Sequence, residues 1–324
     1  MKSKYLQITA AFLIGLLIPC LLLQINRHST PSEPQDETLE TTIPTEPFVM
    51  QKPQILVLDK QGNAVKMDLE EYLVGVVLAE MPTSYDLEAL CAQTVVARTY
   101  ALRRQDRQRH TDGAICMNPG CCQAYVSPEN YLDGLGYQED IDKTIEAIKK
   151  TEGVILTYEG EPIEATYFSC SGGQTEAAVE VWGGTYPYLQ AVLSPGEEEM
   201  KNYKKEVHFT KAELENALDR ELPADPNTWI GQITFTTGGG VNTIEIAGQV
   251  YTGVKLRSLL KLNSTAFSVT PEADGVSITT FGKGHRVGMS QSGAQAMALR
   301  GYGYQTILTY YYPGAVIDKL ENMQ

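Results

Sequence analysis

A handful of side chains stand where their type and spacing suggest chemistry. The first is Glu80 in LAEMP, a carboxylate closing the apolar run DLEEYLVGVVLAEMP. At about 100° per residue, Leu69, Tyr72, Leu73, Val76 and Val77 form one amphipathic stripe, which predicts a helix with a core-facing side. Glu80 lies eleven residues past Leu69, about 20° from it and near the middle of that stripe. In DLEALCAQTVVARTYAL a second stripe runs through Leu87, Leu90, Cys91, Thr94 and Val95, and Arg98 is again eleven residues past its first member. Three roles fit Glu80. It forms a structural ion pair with Arg98, or swings into solvent where Pro82 ends the helix. In the third it lines a cleft, its pKa raised by desolvation until it can donate a proton near neutral pH.

A second cluster is His110, Cys116, Cys121 and Cys122, in a loop marked by Asp-Gly and Pro-Gly turns. Imidazole and thiolate are zinc ligands, with His110, Cys116 and Cys122 as the expected set and Cys121 spare. A disulfide and unused thiols are the competing states. Further on, Tyr167, Ser169 and Ser171 alternate, so an extended strand would put them on one face. With Trp182 nearby, that face suits a sugar, or is an ordinary solvated edge. Cys170 points the other way and reads as core. His285 sits in GKGHRVG, which lacks the Lys-Ser or Lys-Thr of a phosphate loop and the context of a dinucleotide fingerprint. The glycine-rich turn after it feeds a helix whose first N–H groups are free to bind a hydroxyl or carboxylate.

The elements that must position these groups follow from patterning. Residues 6–25 carry no charge and follow Lys2 and Lys4, which predicts a transmembrane anchor over 1–28 with its amino end inside the cell; a removable signal peptide is the rival. Residues 29–50, rich in Pro, Thr and Glu, read as a tether. Residues 51–195 and 276–324 are expected to form the functional core and 196–275 a smaller inserted subdomain. The expected class is α+β, helices packed on short, mostly antiparallel strands. A formal charge of −14 argues against a nucleic-acid partner, since phosphate binding needs clustered Lys and Arg.

In order along the chain, VVLAEMP, LEALCAQTVVARTYAL, YFSCSGGQT and GHRVGMSQSGAQAMA resemble the stage II sporulation protein D family, membrane-anchored lytic transglycosylases of endospore engulfment. The resemblance spans roughly residues 52–317. It implies a peptidoglycan glycan strand as substrate, preferably stripped of stem peptides, and stage II sporulation proteins P and M as partners. It implies Glu80 as the catalytic acid and Arg98, Tyr167, Ser169, Ser171, Thr175, His285 and Gln291 as substrate-binding residues. It also favours a structural zinc on His110, Cys116 and Cys122. Cys91 departs from the Lys or Arg more familiar in the family. One carboxyl suffices for the implied reaction; a hydrolase would need a second, for which Glu176 and Glu180 are the candidates. Rival functions are a non-catalytic, glycan-binding enhancer of a wall amidase, a thiol hydrolase using Cys170 and His285, and a zinc-activated hydrolase.

Overall fold

The computed structural model describes residues 53–107, 110–134 and 136–323. The expected anchor and tether lie outside them. Among the described residues no helix is long and apolar enough to cross a membrane.

The chain opens with a hairpin, β1 (Gln54–Leu58) and β2 (Ala64–Asp68), whose last residue caps the first helix. Helix α1 (Leu69–Glu80) starts where the Asp68 side chain accepts from the Glu70 and Glu71 N–H groups at 2.9 and 3.1 Å, satisfying donors a helix start leaves free. It ends one residue before Met81-Pro82. Helix α2 (Leu87–Asp106) is capped likewise by Asp86. The stripe from Leu69 to Val77 is fully buried, as are Leu90, Cys91, Thr94 and Val95. Next come α3 (Pro128–Asp133), α4 (Gln138–Lys150), β3 (Val154–Tyr158), β4 (Glu161–Pro162), β5 (Tyr167–Phe168) and α5 (Ala178–Trp182).

Residues 204–281 contain β6 (Lys204–Thr210), α6 (Lys211–Leu218), β7 (Ile230–Phe235), β8 (Val241–Ile246), β9 (Gln249–Thr252), α7 (Gly253–Leu259), β10 (Phe267–Glu272) and β11 (Gly275–Phe281). They gather an apolar cluster of their own around Trp229, Ile244, Leu256 and Ile278. Because β6 pairs antiparallel with β11, Lys204 stands opposite Phe281, so the chain enters and leaves this segment side by side. A boundary after residue 275 would cut β11, whose pairing with β6 is not visible as a turn signal.

The chain then returns through β12 (Met289–Ser290), α8 (Gln291–Ala298), α9 (Tyr304–Tyr311) and β13 (Val316–Lys319). The sheets have two or three strands and are antiparallel, except that β12 pairs parallel with β5. The fold is α+β. The β5–β12 pair matters for function, because it brings the Tyr167 segment beside the start of α8.

Candidate active site

Glu80 is the last residue of α1 and is half-buried. The Ala124 N–H donates to its Oε1 at 2.7 Å, and the Tyr167 hydroxyl bonds to the same carboxylate. Burial pushes the Glu80 pKa up against the pull of those two donors, so desolvation wins. The chain reaches Glu80 because it crosses α1 at Gly75. There the Val126 N–H donates to the Gly75 carbonyl at 3.1 Å, and a Cβ on Gly75 would come within 2.3 Å of the Tyr125 ring. Only glycine permits that approach. Gln123 then ties the site together, its Nε2 donating to the Tyr167 hydroxyl and its Oε1 accepting from Tyr72, both at 3.2 Å.

Glu80 opens onto a cavity of about 800 Å³, whose walls include Tyr100, Tyr167, Ser169, Trp182 and His285. His285 packs between Phe168 and Trp182, ring centroids 5.5 and 5.1 Å away. Its Nδ1 accepts from the Val287 N–H at 3.2 Å. Burial, with Arg257 adding to it and the Tyr167 backbone opposing, brings the imidazole down to about 4, so it is neutral at pH 7. Half-exposed Trp182 and the tyrosines give apolar faces with polar edges, which suits saccharide rings.

The remaining expected site residues separate. Arg98 is fully buried and turned from the cavity. Its Nε and Nη2 donate to Glu70 at 2.8 and 2.5 Å and its Nη1 to the Val154 carbonyl at 3.0 Å. It therefore pairs with Glu70, not Glu80, and does not line the cavity. Ser171 and Thr175 are also buried and off the cavity. The extended stretch is only Tyr167–Phe168 and the chain bends at Ser169, so the alternation that would align Ser171 fails; Gly172 and Gly173, with φ of 75° and 109°, turn it further before Thr175. Instead buried Glu197 grips the turn, accepting from Ser171 Oγ at 2.7 Å and from the Ser171 and Gly172 N–H groups at 3.0 and 2.9 Å. Thr175 Oγ1 accepts from the Val192 N–H at 2.8 Å. Gln291, first residue of α8, donates to the Glu80 carbonyl at 3.0 Å and to Gln93 at 3.2 Å, holding the end of α1.

No second carboxylate is free in the cavity among the described residues. Glu176 is buried against Arg286 at 2.8 Å, and Glu180 accepts from Thr237; neither lines it. Glu164 does, unforeseen from the sequence, but its oxygens face Arg104, Arg107 and Arg103 at 2.6, 3.3 and 3.4 Å. Only its place in the strand-like IEATYF, three residues before Tyr167, could have pointed to it. Cys170 is buried beside Glu197 and does not line the cavity that His285 lines; burial and then that carboxylate push its thiol up to about 12, which disfavours the thiolate a Cys170–His285 hydrolase needs.

The loop before Gln123 gathers His110, Cys116, Cys121 and Cys122, with donor atoms all within 4.8 Å. Cys121 is thus part of the group and not spare. His110 Nε2 lies 3.3 and 3.5 Å from the Cys121 and Cys122 sulfurs, which are 4.0 Å apart. A tetrahedral zinc sets donor separations of about 3.6–3.8 Å, so the residues fit such an ion.

Fold and site together define an α+β protein with one unpaired carboxyl in an aromatic-walled groove, beside a Cys/His cluster. Residues 59–158 match the family model described as SpoIID, Stage II sporulation protein. The chain is 33% identical over 335 residues to Stage II sporulation protein D of Bacillus subtilis, covering 99% of this chain and 97% of that one. It is 32% identical over 339 residues to the protein of the same name from Bacillus amyloliquefaciens, with the same coverage. A shorter likeness, 29% over 300 residues, covers 76% of this chain and 40% of an Amidase enhancer of Bacillus subtilis. The chain belongs to the stage II sporulation protein D family, and that membership supports a role in sporulation.

Proposed function

We propose that the chain is a lytic transglycosylase, cleaving the MurNAc–GlcNAc bond of peptide-stripped glycan strands during septal wall remodelling and engulfment. The observation that carries this is Glu80, among the described residues the one carboxyl lining the groove without a cation against it, its pKa raised by burial. A protonated carboxyl there gives its proton to the glycosidic oxygen. The resulting carboxylate, steadied by the Ala124 N–H and the Tyr167 hydroxyl, takes the proton from the sugar's own 6-hydroxyl. That oxygen closes on C1 and leaves a 1,6-anhydroMurNAc end, with no water consumed. Tyr167, Ser169 and neutral His285 orient the sugar, and the aromatic walls stack on it. Gln291 acts through α1, and Arg98, Ser171 and Thr175 act through the scaffold.

We also infer a zinc ion on His110, Cys116, Cys122 and Cys121. When bound it supplies a rigid crosslink, and the chain's own Gln123 and Ala124 then stand against Tyr167 and Glu80. An uncleaved anchor over residues 1–28 would hold the groove outside the membrane, with stage II sporulation proteins P and M as expected partners.

The test is mass spectrometry of products from peptide-free strands. Ends lighter by one water than reducing ends, absent with Glu80→Gln, support the proposal; reducing ends sink it. The likeness to an Amidase enhancer motivates a second reading, a non-catalytic glycan binder. It holds if Glu80→Gln binds glycan and still supports full wall cleavage.

A further inference from the structure

Three cations, Arg104, Arg107 and Lys283, line the groove in a chain whose formal charge is −14. Glu164 stands against them, so these side chains leave a surplus of two positive charges when Glu80 is protonated and one when it is ionised. A zinc held by one imidazole and three thiolates at the rim would lower each figure by one. Arg103, packed behind, points to Glu164 and the Pro162 carbonyl. The arginine group is built rather than incidental. Arg103, Arg104 and Arg107 come from the last turn of α2 and its cap, where the helix dipole favours cations. The Arg104 guanidinium lies over the Tyr100 ring, 4.6 Å from its centroid. Glu164 holds the three arginines together without neutralising them. The Arg104 Nε is buried with no hydrogen-bond partner, and Arg107, 43% exposed, keeps N–H groups beyond its one contact to Glu164 at 3.3 Å.

Neutral N-acetylhexosamines offer these donors only hydroxyl and acetamido oxygens, with no charge to match. A planar anion supplies that charge: guanidinium N–H pairs match a carboxylate edge to edge, and a low-dielectric cleft lined by one sign of charge concentrates the opposite one. A muramyl residue carries one candidate, its 3-O-lactyl carboxyl. While a stem peptide is attached, that carboxyl is a neutral amide; once the peptide is removed, it is a free anion. We propose that Arg104, Arg107 and Lys283 form a subsite for the free lactyl carboxylate. The groove would thereby read the removal of the stem peptide through the charge that removal exposes. This rests on the glycan reading above.

The experiment uses the Glu80→Gln chain, so that ligand is bound and not turned over. Four ligands of equal sugar length are titrated by calorimetry: a peptide-free GlcNAc–MurNAc oligomer, its lactyl carboxamide, an all-GlcNAc oligomer and a peptide-bearing oligomer. The carboxylate should bind at least about tenfold more tightly than the amide, or 1.4 kcal/mol, with the gap narrowing as salt rises. Arg107→Gln, an exposed change that spares the fold, should cut the preference. Adding Arg104→Gln and Lys283→Gln should remove it while affinity for the all-GlcNAc oligomer stays within about twofold. Equal binding of carboxylate and amide overturns the inference, as does a preference that survives all three changes. Peptide-bearing oligomer binding as tightly as peptide-free oligomer also overturns it, since the anion read would then be the peptide's. The two proposals fail separately. Glycan bound without carboxylate preference sinks the subsite alone; a clear preference with no anhydro products from the unmodified chain sinks the transglycosylase alone.

Discussion

Arg98→Met is expected to damage stability and spare the chemistry. The side chain is fully enclosed and spans both oxygens of Glu70, whose own side chain is 20% exposed. It also satisfies the Val154 carbonyl. Removing one partner of a fully buried pair costs about 3–5 kcal/mol. Here Glu70 can turn to water, and methionine keeps most of the buried volume, so about 2–3 kcal/mol is the reasonable range. With a urea m-value near 3 kcal/mol/M, the upper figure moves the unfolding midpoint down by roughly 1 M. Urea unfolding at pH 7 measures it, and Glu70→Gln with the double variant closes a cycle whose coupling should exceed about 1 kcal/mol. Turnover below the transition should stay within a few-fold of the unmodified chain. A midpoint that does not move, together with turnover lost by two orders of magnitude, would make Arg98 a substrate residue and refute the pairing argument.

Four more perturbations address the site. Raised by burial, the Glu80 carboxyl should give turnover an alkaline limb that falls as pH climbs through its folded pKa. Tyr167→Phe, which deletes a donor to the charged form, should move that limb further up; a downward move would contradict the assignment. The same shift has a stability sign. A carboxyl raised on folding contributes stability fully present below its unfolded value and lost as pH rises through the folded one, so Glu80→Gln should flatten the pH dependence of the melting temperature across that window. Cys170→Ala should retain turnover, whereas its abolition would restore the thiol reading. Chelation should lower the unfolding temperature before it lowers activity, and instant loss of turnover at unchanged stability would instead implicate the ion in chemistry.

The sequence carried the helices and the position of Glu80 because amphipathic period and proline punctuation are local signals. Tyr167 and Ser169 are legible from strand alternation and His285 from its setting among glycines, and all three line the groove. Ser171 falls off the groove because strand alternation holds only while the chain stays extended, and the chain bends at Ser169; two glycines of positive φ then turn it again before Thr175. Glu197, Glu164 and Gln123 left no local trace. Each acts through partners 25 to 61 residues away, and such pairings depend on tertiary packing. Adjacent cysteines seldom share an ion, which is why the sequence leaves Cys121 spare, yet the Asn118 carbonyl accepts both the Cys121 and Cys122 N–H groups at 2.9 Å and both sulfurs lie near His110.

Glu80 and Arg98 carry the sharper lesson, since periodicity gives them the same phase on successive helices. What separates them is the supply of partners. Glu70 lies ten residues before Glu80 on the same helix, near the start of α1, and meets Arg98 with both oxygens. At the other end of α1, Glu80 meets only an N–H and a hydroxyl, donors too weak to undo the cost of burial. A charged group on an apolar stripe therefore becomes structural where an opposite charge reaches it and reactive where only neutral donors do. Placing a cation beside Glu80, for example by Ser169→Arg, should accordingly lower its pKa and suppress the acid step without disturbing the helices. A pH profile that kept its alkaline limb in that variant would mean that desolvation is not what holds the proton on Glu80.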